Sequence, residues 1–176
     1  DAFLDKPDVN PGDGACASED GVCTLRAAIE EANAQPGLRT VALGTGVYTL
    51  TEGRLDITDD LVLVGNGADS SIIDGDNDLA LRINDASVAL RIEDLTVSRG
   101  RISAWPGDLV MRRARVTGGV ADGFVGGAIF ANDLIALRDV VIDGNRAVSG
   151  GGIWPHPASH GVFENVTITG NRGGGL

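Results

Sequence analysis

Three aromatic residues, Trp105, Phe130 and Trp154, recur at intervals of 25 and 24 residues. Each follows a small or apolar residue: Ala104, Ile129 or Ile153. Side chains alternate across a strand, so where the preceding residue faces a core the ring faces out. Both tryptophans precede proline, which favours extended or turn backbone. An outward aromatic stripe can stack on sugar rings or dock a partner. The competing reading is a satellite core in which long turns fold over the rings. A second constellation is the acidic run Asp74-Gly-Asp-Asn-Asp78. Asp74, Asp76 and Asp78 have the one-three-five spacing of a calcium loop, with Asp85 at the twelfth place. However, Leu79 stands where such a loop needs glycine, and residues 79–83 read as a strand. In the leader, Asp5, Asp8, Asn10 and Asp13 also offer hard oxygen ligands, although Asx side chains in turns explain them more simply. His156 and His160 are four residues apart, but Pro155 and Pro157 oppose the helix that would bring them together. No nucleophile elbow, phosphate loop or HExxH motif occurs.

The repeat that positions these residues is clearest in Phe163-Glu-Asn-Val-Thr-Ile-Thr-Gly-Asn171. Earlier copies begin at Leu137, Met111 and Ile92, and a weaker one runs from Ala68 to Asp76. The last apolar positions, Ile73, Val97, Val116, Ile142 and Ile168, are spaced by 24, 19, 26 and 26 residues. A fixed period of this size marks a solenoid. Three short strands fit within each period. The pattern therefore predicts an all-β, three-sided parallel β-helix of about six coils over residues 40–176, the last ending incomplete at Leu176. At roughly 4.8 Å per coil the rod would be on the order of 25–30 Å long. Alternation sends Leu95, Val97, Val140, Ile142, Val166 and Ile168 inward. Gly119, Asn145 and Asn171 share one corner, where Asn145 and Asn171 would form a structural ladder.

Residues 1–39 form a leader with one helix. Thr24 is the expected N-cap. Leu25, Ala28, Ile29 and Ala32 make one apolar stripe, and Pro36-Gly37 ends the helix. A short amphipathic helix ahead of a solenoid is expected to cover its open first coil. Cys16 and Cys23, an even and close pair in a loop, favour a disulfide, which in turn favours an oxidising compartment.

Charge limits the partners. The net charge is −11, which opposes binding to nucleic acid or to an anionic membrane surface. No stretch is long and apolar enough for a transmembrane helix. The chain opens in polar sequence without a visible signal peptide, which fits either the mature form of an exported protein or a piece cut from a longer chain. Repeat positions also align Glu93, Arg112, Arg138 and Glu164, and beside them Asp94, Arg113, Asp139 and Asn165. Opposite charges on adjacent strands stabilise by about 0.2–1 kcal/mol per pair. These columns read as surface ladders. The clustered Arg112, Arg113 and Arg115 offer an anionic-glycan site as the alternative.

The segment Cys23-Thr-Leu-Arg-Ala-Ala-Ile-Glu-Glu-Ala-Asn33 lies between Pro11-Gly-Asp-Gly14 and Gly46-Val-Tyr-Thr-Leu50. It resembles the CSLREA-domain segment that heads bacterial secreted or surface β-helix proteins. Thr24 and Ala27 depart from that motif. Gly126-Gly-Ala-Ile129 and Gly151-Gly-Ile153 resemble the GGA-I repeats of polymorphic outer-membrane proteins. These resemblances imply a right-handed parallel β-helix, export, and a surface or extracellular role. They imply no reaction and no cofactor. The expected function is structural, adhesive or glycan- and partner-binding, with another chain able to stack on the last coil. The alternative is a polysaccharide lyase or glycoside hydrolase, for which the fold alone argues. A hydrolase needs two carboxylates facing each other across the scissile bond, and beyond Asp74 and Asp76 no such pair stands out.

Overall fold

The computed structural model of the protein describes residues 2–174. A single helix, α1 (Leu25–Ala34), precedes the strands. The first turn contains β1 (Arg39–Ala42), β2 (Gly46–Thr49) and β3 (Leu55–Ile57). The second contains β4 (Leu61–Val64) and a long, bent β5 (Ser71–Ile83), and the third contains β6 (Ala89–Glu93) and β7 (Thr96–Ala104). The fourth adds β8 (Asp108–Thr117), β9 (Val120–Val125) and β10 (Ile129–Ala131). The fifth adds β11 (Leu134–Asp143), β12 (Arg146–Ser149) and β13 (Ile153–Pro155), after which come β14 (His160–Thr169) and β15 (Arg172–Gly174). Every strand pairing is parallel, and each strand pairs with its counterpart one turn away. This is a parallel β-solenoid, as the repeat predicts. Among the described residues it has about five complete turns. The expected six counts the turn that β14 opens, of which β14 and β15 are described. The end of that turn at Leu176 lies outside the described residues.

The apolar period sets the register. Ile73, Val97, Val116, Ile142 and Ile168 are successive register partners on the second side. On the first side Leu63, Ile92, Met111, Leu137 and Phe163 stack in the same way. Ile83, Ala104, Ala131 and Pro155 follow on the third. The core is these aliphatic columns, and all their members except Pro155, Phe163 and Ile168 are buried. In β14 the same columns lose their cover, leaving Phe163 49% and Ile168 38% exposed.

Turn length varies because the later turns have a fourth side. Within β7 the chain turns directly from the second side to the third through Arg99, at φ 44°. The next two turns insert β9 and β12, which pair with each other, and β12 also pairs with β15, in a separate small sheet. That insertion accounts for the 19-residue spacing followed by 26. Glycine lets successive turns stack closely where this side ends: a Cβ on Gly127 would lie 2.2 Å from the carbonyl oxygen of Gly151 in the next turn.

The helix closes the first turn as the apolar stripe predicts. Thr24 caps it in extended backbone, with Oγ1 accepting from the Ala27 amide at 3.1 Å. Leu25 and Ile29 enter the core. A second stripe, Arg26 and Asn33, bonds the free edge of β3. Arg26 donates to the Gly53 and Arg54 carbonyls. Asn33 donates to Asp56 O at 2.8 Å and accepts from Thr58 N at 3.0 Å. Two side chains thus occupy bonding positions that another strand would otherwise fill. The leader locks them in place. Buried Asp5 grips the Arg26 fork at 2.7 and 3.0 Å and accepts from Glu52 N at 2.6 Å. Glu31 accepts from the Gly12 and Gly14 amides at 2.5 and 2.7 Å. Cys16 and Cys23 form the expected disulfide, with Cα atoms 5.0 Å apart.

Candidate functional site

The three sequence-selected rings do meet on the outside of the third side. Phe130 and Trp154 are direct register partners on β10 and β13. Their ring centroids are 5.2 Å apart and nearly parallel at 25°. Trp105 is not in the same column. Phe130 pairs with Ser103, so Trp105 lies two residues farther on, just past the end of β7. Equal sequence spacing hid this offset, because the inserted fourth side lengthens the path from β7 to β10. Trp105 nevertheless reaches Phe130 at 4.6 Å and packs its edge against His156 at 4.8 Å. Trp105 and Trp154 are only 6.4 Å apart. A linear stack would hold them much farther apart, so the three rings close into a triangle. All three are half-buried. Much of their face area is spent on one another, and their outer rims remain available to solvent. His156 joins the cluster, and His160 begins β14 away from it.

The acidic run is organised around an arginine. Asp74 is buried and receives Arg99 Nη2 and Nε at 2.7 and 3.1 Å, while Asp76 lies 3.5 Å from Arg99 Nη1. The Asp74 pair holds the Arg99 guanidinium above its ordinary pKa. Asp78 instead turns to the Leu79 amide at 2.7 Å. Arg99 therefore stands between two of the three proposed calcium ligands, and a cation there would have to displace it. Asp76 and Asn77 adopt left-handed backbone, as short polar residues do in tight turns. In the leader, Asp8 and Asp13 accept from nearby backbone amides, and Asp5 is held by Arg26. No group of three or more His, Cys, Asp or Glu is placed to share a metal ion among the described residues.

The charged columns occur in the expected order. Glu93, Arg112, Arg138 and Glu164 are consecutive register partners on the first side. Next to them Asp94, Arg113, Asp139 and Asn165 all have positive φ, from 47° to 55°. Each is the single left-handed residue that bends the chain from the first side to the second. Backbone of this kind costs about 1–2 kcal/mol per non-glycine residue, and side-chain bonds across the turns offset it. Arg113 forks onto Asp94 at 2.7 Å twice and reaches Glu93 at 3.1 Å. The Arg113 guanidinium holds the Asp94 carboxyl below its usual range, against burial, which raises it. Asn165 donates to Asp139 at 2.7 Å.

The Asn corner is also a ladder, and its bend is made by glycine. The left-handed residues there are Gly118, Gly144 and Gly170, one position earlier. This frees the following side chain to point inward. Asn145, 1% exposed, accepts from Gly119 N at 2.8 Å. It donates to Val116 O, Asp143 O and Asn171 Oδ1 at 3.1, 3.0 and 2.9 Å. Asn171 extends the ladder to Ile142 O at 2.9 Å.

A recess of about 500 Å³ lies at the lower end of the stack, lined by Ile135, Ile153, Phe163, Val166 and Ile168. One wall is made of core-column residues, and the other is the 155–161 segment, which brings His156 and Ser159 to its rim. No helix is long and apolar enough to cross a membrane among the described residues. No family model matches the chain, and no curated protein or solved structure matches it.

Proposed function

We propose that the protein is an exported bacterial β-solenoid, secreted or displayed at the cell surface, that binds a glycan or protein partner without transforming it. The observation that carries this reading is the convergence of Trp105, Phe130 and Trp154 from three turns onto one outer face. Half-buried rings on a rigid sheet present an apolar surface with little ordering cost. The disulfide that pins the leader supports export, since such bonds persist in oxidising compartments. The test is a glycan-array screen of the wild type beside Trp105→Ala/Trp154→Ala, with reducing-end release assayed in the same wells. Binding that is lost in the variant, without product release, supports the proposal. Product release would replace it with the lyase or hydrolase reading.

A second reading rests on the exposed Phe163 and Ile168 and on the outer edge of β14, which among the described residues pairs only with β11. An apolar end with free strand edges fits a further parallel coil, whether of the same polypeptide or another chain. Sedimentation across a concentration series tests this directly. Reversible association that Phe163→Glu abolishes supports stacking between chains, and a single monomeric species at every concentration rejects it.

A further inference from the structure

We infer that the outer face of the first side holds a subsite for an anionic sugar, gripped by Arg112 and Arg138. Arg112 has Glu93 and Arg138 as its register partners. Glu93, its natural ion-pair partner, is instead taken by Arg113 at 3.1 Å, in addition to the fork on Asp94. Arg112 is exposed and makes no ion pair among the described residues. It faces Arg138 one strand spacing away, about 4.8 Å along the axis. Arg138 meets Glu164 at 3.3 Å and Asp139 at 3.8 Å, and neither contact is a hydrogen bond. Two like charges placed directly opposite destabilise a sheet. This chain carries 25 acidic residues against 14 basic ones, so an acidic partner could readily have been placed there. The free site is therefore a property that folding alone does not require.

What lies beside the arginines gives the ligand its shape. Two residues earlier on the same strands, Val110, Ala136 and Val162 are register partners with outward side chains. They floor a shallow trough of about 160 Å³ whose edge carries Arg112, Arg138 and Glu164. Arg91, in register with Val110, stands at the head of the trough and makes no ion pair among the described residues either. On the far side, Asp108 has one oxygen committed to the Leu134 amide at 3.1 Å. The result is an apolar floor with a cationic wall, ended by Glu164 below. It fits a ring that lays its C–H face on the valines and turns one carboxylate or sulfate to the guanidiniums. Planar guanidinium forks suit both groups. This site is on the first side, apart from the aromatic triangle on the third, so the two stand or fall separately.

The test uses the full chain and three probes at low salt: polygalacturonate, dextran sulfate and neutral dextran. The wild type is expected to bind one or both polyanions and not neutral dextran, and the tighter of the two identifies the anionic group. Arg112→Gln and Arg138→Gln should each weaken that binding about tenfold or more, the loss expected for one charge-assisted hydrogen bond. Arg146→Gln, which removes an exposed arginine paired with Asp122 on the fourth side, should leave it unchanged. Trp105→Ala/Trp154→Ala should also leave it unchanged. Thermal melts supply a readout that a purely structural arginine would move the other way. Because Arg112 has no partner to lose, Arg112→Gln should match or exceed the wild-type Tm. No polyanion binding, equal weakening by Arg146→Gln, binding of neutral dextran, or a lower Tm for Arg112→Gln would each overturn the inference.

Discussion

Replacing Asn145 by leucine should be among the most damaging single changes on the polar side of this fold. The side chain is 1% exposed and is bonded on every polar atom. Its amide has two hydrogens and three acceptors within reach, so two donated bonds and one accepted bond are made at a time. Each contributes about 0.5–1.5 kcal/mol net. Leucine also leaves the buried Gly119 amide without its acceptor, at about 1–3 kcal/mol. Together the loss is roughly 2.5–7.5 kcal/mol. Asn171→Leu, on the next and less buried rung, should cost about 1–2 kcal/mol by the same reasoning. Asn145→Asp adds a distinctive sign. Its second oxygen would face the Val116 and Asp143 carbonyls, which favours the protonated acid and raises its folded pKa. A raised carboxyl is relatively more stable at low pH and loses that stability as pH rises through the folded value. The variant should therefore narrow its deficit between pH 7 and pH 4. Urea unfolding at both pH values, with hydrogen exchange of the Gly119 amide as a local probe, measures all three. An Asn145→Leu loss below about 0.5 kcal/mol, with Gly119 still protected, would refute the ladder as a source of stability.

Other perturbations reach different parts of the molecule. Reducing Cys16–Cys23, seven residues apart, should lower stability by about 2–3 kcal/mol on loop-closure grounds, read as a lower Tm in reductant. Arg26→Met strands the buried Asp5 carboxylate and should cost about 3–5 kcal/mol in urea, with partial recovery in Arg26→Met/Asp5→Leu. Acid should weaken the fold in a defined window. Asp94 beside Arg113, Asp143 beside Arg115, and Glu31 on the Gly12 amide all have lowered pKa values. Their contribution is fully present above the ordinary carboxylate range and disappears as pH falls through the lowered values. The urea midpoint should accordingly be flat from pH 7 to about 5 and fall below about 4, less steeply in Arg113→Gln.

The solenoid was legible because one apolar position per turn repeats with little noise. Ile73, Val97, Val116, Ile142 and Ile168 are register partners in the fold, just as their alignment in the sequence implies. The helix stripe was legible for the same reason, since Leu25 and Ile29 carry a period. Features built from polar atoms and backbone shape were harder to read. The fourth side is short and broken by Gly123 and Gly126, so its residues read as part of the third strand. That omission carried over to Trp105, whose 25-residue spacing from Phe130 suggested a column it does not share. At the Asn corner the bend belongs to the preceding glycine, which no side-chain pattern reveals. Arg26 and Asn33 did carry a signal, seven residues apart and so on one helix face. Apolar periodicity alone does not reveal it.

The closed first turn also gives the molecule a direction in time. α1, Asp5 and the disulfide all lie within the first 34 residues, and their bonding partners on the first coil are complete by Thr58. A chain delivered amino-terminus first, by a ribosome or an export channel, presents the finished lid before most of the rod exists. Each arriving turn then needs only the turn before it as a template, and the loop it must close stays near two dozen residues however long the rod becomes. The reactive strand edge is always the newest one. Such a chain can fold at the pace of its delivery, and each new turn, once docked, resists being drawn back.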